Sequence, residues 1–332
     1  MKQGIECLNS CIYNWLINDN IHINMSDIYF LGNGFNMHYT GNYGTHMIYT
    51  EQYEANKRFV RKYAPDSIWD NYIEEGIDNI DNKKAFLINM LEKHQRIIVR
   101  LSSSALPYNK KFSRDKAISH YITIVGYEKN HFMIYDACPP VTDKDVYSGE
   151  IDDKDLLDNW NTYNNEYLIL RYERDAFKED RIKEEVIATR NNQLKDYLKN
   201  PLLSNKKRYR GYRCFISLLE DMQSIFSNNI DTKGVMAECN RQLRIDGFEQ
   251  SKKFIFDNIS TSGSDFENQD YQNQKYQEYQ DYQEIVKRWD KLIMNMFKAG
   301  IKGNVDLFNQ VIEEANRLTL EENRILKNIL NE

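Results

Sequence analysis

The chain lacks several features that would point to common classes of function. It has no apolar run near the roughly 18 residues that a membrane helix needs. Its formal net charge of −6 argues against bulk binding of nucleic acid, which favours basic surfaces. Its histidines and cysteines show no spacing typical of zinc ligands, and no phosphate-binding P-loop occurs. We therefore expect no membrane, nucleic-acid or metal partner, no bound cofactor, and no activation of a carboxylate by ATP.

A secretion signal is also not visible. The first four residues lead directly into a predicted helix of mixed polarity, without a small-residue cleavage site. Five cysteines in a long chain of this kind are typical of free thiols in a reducing compartment. We therefore expect a cytoplasmic protein.

The 332 residues allow roughly two domains, and the residue pattern changes once along the chain. Residues 1–174 mix helical and strand patterns, whereas residues 175–332 are helical, which predicts an α+β domain followed by an all-helical region. A polar loop is predicted at about 260–283, although its tyrosines are also compatible with an extension of the following helix.

Hydrophobic periodicity predicts the individual elements. Helices are predicted at residues 7–18, 25–31, 76–93, 156–160, 180–198, 209–226, 232–258, 283–299 and 304–330. Strands are predicted at residues 96–101, 120–127, 131–135 and 166–172, the second and third forming a β-hairpin.

The most informative feature is the order Cys7, His120, Asp136. Cys7 begins a predicted helix, where the helix dipole favours thiolate over thiol. His120 begins one strand of the hairpin and Asp136 ends the other, so the two can meet in space. The histidine would then act as the base, and the carboxylate would fix its tautomer. This is the sequence form of a papain-like nucleophile site.

Each of these residues also has a purely structural interpretation. Cys7 could be a small residue buried in the core. His120 could be a histidine at a strand edge with a structural hydrogen bond, and Asp136 could cap a turn. Cys11 lies one helical turn after Cys7 and is predicted to belong to the core. It remains the second candidate for the nucleophile.

A cysteine nucleophile needs donors for the oxyanion that forms on attack. The backbone N–H of Cys7 is one candidate. Gln3 offers a side-chain amide, although papain-like enzymes usually carry this glutamine slightly further upstream. Asn33 and Asn36, in a glycine-rich segment, are alternatives.

A basic run stands out in the otherwise acidic chain. Residues 206–213 contain five positive charges, beginning with Lys206, Lys207 and Arg208. One interpretation is a docking site for an acidic carrier protein or the phosphate of its phosphopantetheine arm. The other is the solvated start of a helix.

Several segments in fixed order resemble known proteins. The Cys7-x3-Cys11 spacing resembles bacteriocin-leader peptidases of the papain-like superfamily. The glycine-rich residues 31–39, then 106–109 (Leu-Pro-Tyr-Asn), then His120 with Val-Gly-Tyr at 125–127, resemble the BtrH-like family, as does Asp136 at the next strand end. That family is named after the butirosin-pathway acyltransferase.

The resemblance implies a papain-like catalytic domain with a helical C-terminal region. It implies transfer of an aminoacyl or peptidyl group from a carrier-protein thioester to a small amine, within antibiotic biosynthesis similar to nonribosomal peptide assembly. The phosphopantetheine arm of the carrier protein would be the donor. A similar cysteine-protease-like enzyme forms amide bonds in the closthioamide pathway. Relatives often carry an acidic residue before Leu-Pro, where this chain has Arg100-Leu101-Ser102, so an ammonium contact there is not implied.

Two other functions share these residues. A cysteine peptidase or amidase would use the same triad and admit water instead of an amine. A catalytically silent binding protein would keep the papain-like fold without a reactive thiol.

Overall fold

The computed structural model describes most of the chain. The described residues are 4–40, 47–73, 79–108, 119–139, 146–199, 202–203, 208–228, 232–245, 247–261 and 269–330. The helices are α1 (Cys7–Asn18), α2 (Met25–Leu31), α3 (Gln52–Tyr63), α4 (Ile80–His94), α5 (Asp153–Trp160), α6 (Glu179–Lys199), α7 (Arg213–Ser227), α8 (Thr232–Ile245), α9 (Phe248–Thr261), α10 (Gln269–Lys302) and α11 (Val305–Ile329). The strands are β1 (His38–Thr40), β2 (Met47–Tyr49), β3 (Ile68–Asn71), β4 (Ile97–Ser102), β5 (Ser119–Glu128), β6 (His131–Asp136), β7 (Tyr147–Asp152), β8 (Glu166–Ile169), β9 (Leu202–Leu203) and β10 (Arg208–Arg210).

The chain forms two compact units whose limits differ from the predicted division at residue 174. The first unit is Met1–Met25 with Asn56–Arg181, and the second is Ser26–Ala55 with Ile182–Glu332. Residues 26–55 belong to the second unit because β1 and β2 pair into a small antiparallel sheet of order β2-β1-β10-β9. The prediction of an all-helical C-terminal region is therefore wrong for β9 and β10, while the described remainder of that region is helical.

A six-stranded antiparallel sheet forms the centre of the first unit, with strand order β3-β8-β4-β5-β6-β7. Ile97, Ile98 and Val99, successive residues of β4, are all fully buried. Successive side chains of a strand point to opposite faces, so both faces of the sheet are covered here. Helices α1, α4 and α5 pack against β4 and β5.

The predicted β-hairpin is confirmed as β5 and β6. Only Lys129 and Asn130 separate the two strands, and both have positive φ, at 49° and 66°. Positive φ at both central residues is the mark of a type I′ turn, whose twist matches that of the flanking strands. This turn fixes the pairing as far as Gly126 opposite Met133, and a β-bulge between Ile124 and Gly126 then shifts it by one residue, so that Thr123 lies opposite Tyr135.

Three C-terminal predictions need correction. The predicted helix 232–258 is two helices, α8 and α9, separated near Gly247, which has φ of +110°. The polar loop predicted at about 260–283 is instead helical from Gln269 onward. Within this helical segment Tyr282 is fully buried, and the side chain of Gln277 donates a hydrogen bond to Asp281, one turn away, at 2.7 Å. The helix predicted to begin near Tyr209 begins at Arg213, after strand β10.

The second unit contains a buried ion pair. Lys252 on α9 and Glu322 on α11 lie 2.8 Å apart, and both side chains are 0% exposed. Tyr282 and Trp289 of α10 donate to the two oxygens of Glu322, at 2.8 and 3.2 Å. Lys252 also donates to the hydroxyl of Tyr197 on α6 at 3.0 Å. Burial lowers the pKa of the Lys252 ammonium, and the charge of Glu322 opposes that shift. The pair thus connects α6, α9, α10 and α11 through one set of hydrogen bonds.

We expect Lys252→Met to lower the free energy of unfolding by about 3–5 kcal/mol, because it leaves a buried carboxylate without its counter-charge. Equilibrium denaturation in urea measures this. Lys253→Met is the matched control, since Lys253 is half exposed and pairs with Glu249 on the same helix. Its expected effect is about 0.5 kcal/mol or less. Equal losses in the two variants would contradict a stabilising role for the buried pair.

Candidate functional site

The β5–β6 register brings His120 and Asp136 together. Thr123 lies opposite Tyr135, so the continued register places Asp136 opposite Ile122. His120 is then a diagonal neighbour of Asp136 on the same face of the sheet. The distance from His120 Nε2 to Asp136 Oδ2 is 2.7 Å, and the side chains are 5% and 1% exposed. The structure thus forms the predicted pair in a buried setting.

Two further donors hold the Asp136 carboxylate. The hydroxyl of Tyr108 donates to Oδ2 at 2.6 Å, and the backbone N–H of Cys138 donates to Oδ1 at 2.9 Å. Because a carboxylate accepts, Nε2 of His120 carries the proton that lies between them. Nδ1 of His120 is then the acceptor nitrogen, and it makes no hydrogen bond to another residue that the structure describes.

Tyr108 is a member of this site that the sequence analysis did not single out. Its ring stacks on Tyr147 of β7 at 3.9 Å between centroids. Burial raises the pKa of the Tyr108 hydroxyl, and the charge of Asp136 raises it further, so the group remains a donor. The one sequence signal was its place in the Leu-Pro-Tyr-Asn segment of the family resemblance.

Cys7 is the first residue of α1, as predicted, and Glu6 caps the helix. The Glu6 carboxylate accepts the backbone N–H groups of Leu8 and Asn9, at 3.0 and 2.7 Å. Asn56 adds a side-chain N–H at 3.0 Å. The Cys7 thiol, which is half-buried, donates to Oε1 of Glu6 at 3.3 Å. The nucleophile candidate therefore has a carboxylate as its hydrogen-bond acceptor.

The expectation that the helix start favours a thiolate is wrong for this structure. Burial raises the pKa of the Cys7 thiol well above its usual value, and the charges of Glu6 and Cys138 raise it further. The backbone N–H of Tyr121, the residue after His120, opposes this rise. The capping carboxylate also offsets the positive end of the helix dipole. Cys7 therefore rests as a thiol.

The N-terminal segment runs along the strand ends that carry His120 and Asp136. The backbone N–H of Gly4 donates to the carbonyl oxygen of Ala137, the residue after Asp136, at 2.7 Å. The backbone of Tyr121, the residue after His120, is among the groups that act on the pKa of the Cys7 thiol. Cys7 thus lies at the same end of the β5–β6 pair as the His–Asp pair.

Cys11 is less suited to be the nucleophile. It is 2% exposed, and its thiol donates to the carbonyl oxygen of Tyr121 at 3.6 Å. Burial raises the pKa of this thiol well above its usual value. The predicted core position of Cys11 agrees with this burial.

The other predicted site residues are not part of this arrangement as described. Gln3, Lys206 and Lys207 lie outside the described residues. Asn33 belongs to the second unit, where it is exposed in the turn after α2 with φ of 55°. Arg208 lies in β10, so the predicted solvated helix start is a strand here. Their proposed roles stay predictions.

Neither a metal site nor a membrane-spanning helix occurs in the part of the chain that the structure describes. In that part of the chain, no group of three or more His, Cys, Asp or Glu side chains is arranged to hold a metal ion. Among the helices assigned there, none combines the length and apolar character needed to span a membrane.

An antiparallel sheet with a His–Asp pair at its strand ends, beside a helix that starts with cysteine, defines an α+β protein with the groups for thiol chemistry. Residues 6–137 match the family described as Butirosin biosynthesis protein H, N-terminal, so this part of the chain is similar to the BtrH-like family. The predicted resemblance is confirmed, and the match includes Cys7, His120 and Asp136. The family is one of biosynthetic enzymes, and its name indicates butirosin-type antibiotic biosynthesis. No curated protein matches the chain.

We expect Tyr108→Phe to lower the free energy of unfolding by about 1.5–3 kcal/mol, because it removes a hydrogen bond to a buried carboxylate. Chemical denaturation monitored by tryptophan fluorescence measures this. Tyr147→Phe is the control: it keeps the ring stack and loses only a 3.5 Å contact to the Glu150 carbonyl. We expect it to change stability by about 0.5 kcal/mol or less. Equal losses in the two variants would contradict a specific contribution of the hydrogen bond from Tyr108 to Asp136.

Proposed function

We propose that the protein is a papain-like cysteine acyltransferase of antibiotic biosynthesis that forms an amide bond. The observation that carries the proposal is the buried His120–Asp136 pair, 2.7 Å apart, at the strand ends beside the Cys7 helix start. The family match supports it, because all three residues lie within the matched region. The absence of a P-loop in the sequence suits a reaction whose acyl group arrives already activated.

The first half of the reaction loads the enzyme. Nδ1 of His120 takes the proton of the Cys7 thiol, and the thiolate attacks the carbonyl carbon of the carrier-bound thioester. The tetrahedral oxyanion collapses, the C–S bond to the phosphopantetheine arm breaks, and His120 returns the proton to that leaving thiolate. Asp136 keeps the imidazole in the tautomer and orientation that this exchange requires. The product is an acyl group on Cys7.

The second half transfers the acyl group to the acceptor. A neutral amine attacks the Cys7 thioester, His120 accepts the ammonium proton of the intermediate, and the C–S bond to Cys7 breaks. The proton then returns to the Cys7 sulfur. An amide forms, and the enzyme regains its starting state. Aminolysis of a thioester is downhill, so the enzyme's task is to admit an amine and exclude water.

The hydrogen bonds in the first turn of α1 indicate which backbone N–H group can stabilise the oxyanion. The Glu6 carboxylate accepts hydrogen bonds from the backbone N–H groups of Leu8 and Asn9. The backbone N–H of Cys7 makes no hydrogen bond to another described residue, so it is the group left for the oxyanion. The side-chain amide of Gln3 would supply the second donor in this proposal.

We expect Cys7→Ala to abolish both covalent acyl loading and turnover, because it removes the attacking sulfur. The assay uses aminoacyl thioesters of N-acetylcysteamine with and without a primary amine, and intact-protein mass spectrometry reads the acyl adduct. Cys11→Ala is the matched control; it should keep the adduct and cost about 1 kcal/mol of stability. An adduct on the Cys7→Ala protein would show that another group is the nucleophile.

The products of the same assay separate the competing functions. Amide from the amine-containing reaction supports acyl transfer. Free acid in place of amide would identify a hydrolase. Neither product, together with no adduct on the wild-type protein, would indicate a binding protein that keeps the fold.

The basic run is the proposed docking site for an acidic carrier protein. Charges at the rim of an interface chiefly set the association rate and its salt dependence. We expect replacement of Lys206, Lys207 and Arg208 by Ser to raise the KM for carrier-bound donor several-fold. Turnover of the small N-acetylcysteamine thioester should stay unchanged. Steady-state kinetics at low and high ionic strength measure both, and an unchanged KM at low ionic strength would show that the run is only solvated surface.

A further inference from the structure

Glu6 is more constrained than a helix cap needs to be. Its carboxylate faces four donors: the backbone N–H groups of Leu8 and Asn9, the side-chain amide of Asn56, and the thiol of Cys7. Asn56 and Asn9 are each 1% exposed, and the Asn9 side chain is fixed in turn by hydrogen bonds to Asn56 and to the Met25 carbonyl. Four donors suit an ionised carboxylate, which accepts only.

The position of this charge matters because Cys7 is the proposed nucleophile. The Cys7 sulfur and Glu6 Oε1 are 3.3 Å apart. A hydrogen bond to a neutral thiol stabilises the thiol, whereas a negative charge at that distance repels a thiolate. The carboxylate therefore acts on the same atom that must lose its proton for attack.

We propose that Glu6 holds the Cys7 proton in the resting protein and restrains the nucleophile as a thiol until an acyl donor is bound. The proposal rests on the proposed function in taking Cys7 as the nucleophile. Among the described groups that act on the thiol besides Glu6, Cys138 and Cys11 disfavour the thiolate and the Tyr121 backbone favours it. Burial acts in the same direction as Glu6.

The consequence for the reaction follows from charge balance. When His120 Nδ1 takes the proton, the S–H bond breaks, an N–H bond forms, and the thiolate lies beside the Glu6 carboxylate. Acylation converts the sulfur to a neutral thioester, and the repulsion disappears. Glu6 therefore disfavours the free thiolate and favours the acyl-enzyme relative to it. A thiol restrained in this way also resists oxidation and alkylation in the absence of substrate.

Site-specific alkylation tests the proposal without any acyl donor. The protein is treated with iodoacetamide between pH 6 and 11, and the rate at Cys7 is read by peptide mass spectrometry. Replacing Glu6→Gln removes the charge and keeps an acceptor oxygen, so we expect the apparent pKa of Cys7 to fall by about one unit. That corresponds to about a tenfold faster alkylation at neutral pH. Glu6→Asp keeps the charge and should alkylate as slowly as the wild type.

Two results would overturn the proposal. One is an unchanged Cys7 profile in Glu6→Gln accompanied by lower stability, which would make Glu6 a helix cap alone. The other needs no variant: wild-type Cys7 alkylated as a thiolate between pH 6 and 7 would show that the thiol is not restrained. If the profile shifts as expected while the thioester assay gives no product, the role of Glu6 stands and the proposed acyl transfer fails.

Discussion

The register of the β5–β6 hairpin is the constraint on which the candidate site depends. Lys129 and Asn130 form a two-residue turn with positive φ at both positions, which sets the pairing as far as Gly126, and a β-bulge between Ile124 and Gly126 then shifts the pairing by one residue. A slip of one residue would move Asp136 to the opposite face from His120. The 2.7 Å contact between them, beside the Tyr108 hydroxyl and the Cys138 backbone N–H that donate to the same carboxylate, exists because the turn and the bulge together fix that pairing.

Three local effects on the pKa of the Cys7 thiol compete: the helix dipole, burial and the charge of Glu6. The helix dipole, which favours a thiolate, falls off within the first turn and is worth about 0.3–1 kcal/mol when exposed. Burial and a full carboxylate charge in hydrogen-bond contact act against it. In a desolvated setting burial and the carboxylate charge each outweigh the effect of the helix dipole, so the pKa of the Cys7 thiol rises. The helix start positions the sulfur, and its capping residue controls the proton.

The main elements of this fold could be predicted from the sequence where one pattern dominates. Helix α1 and the hairpin could be predicted because their apolar residues follow the periods of a helix and of strands. The limits of α10 could not be predicted, because the residues after Gln269 are polar and the burial of Glu278 and Tyr282, which shows which face packs, is known only from the fold. The pairing of β1 with β10 joins residues about 170 positions apart, and no local pattern carries that information.

The site shows the same division between local and non-local information. Cys7, His120 and Asp136 could be proposed because the type of each residue and its place at an element end both point to one chemistry. Tyr108 could not, since its contact with Asp136 depends on the path of the chain after β4. Glu6 precedes Cys7 directly, yet its effect depends on whether its carboxylate turns inward over the first turn or out to water. The structure shows it turned inward, where Asn56, nearly 50 residues later, holds it against the thiol. The chemical environment of the Cys7 thiol is therefore a property of the folded unit and not of the Glu-Cys pair alone.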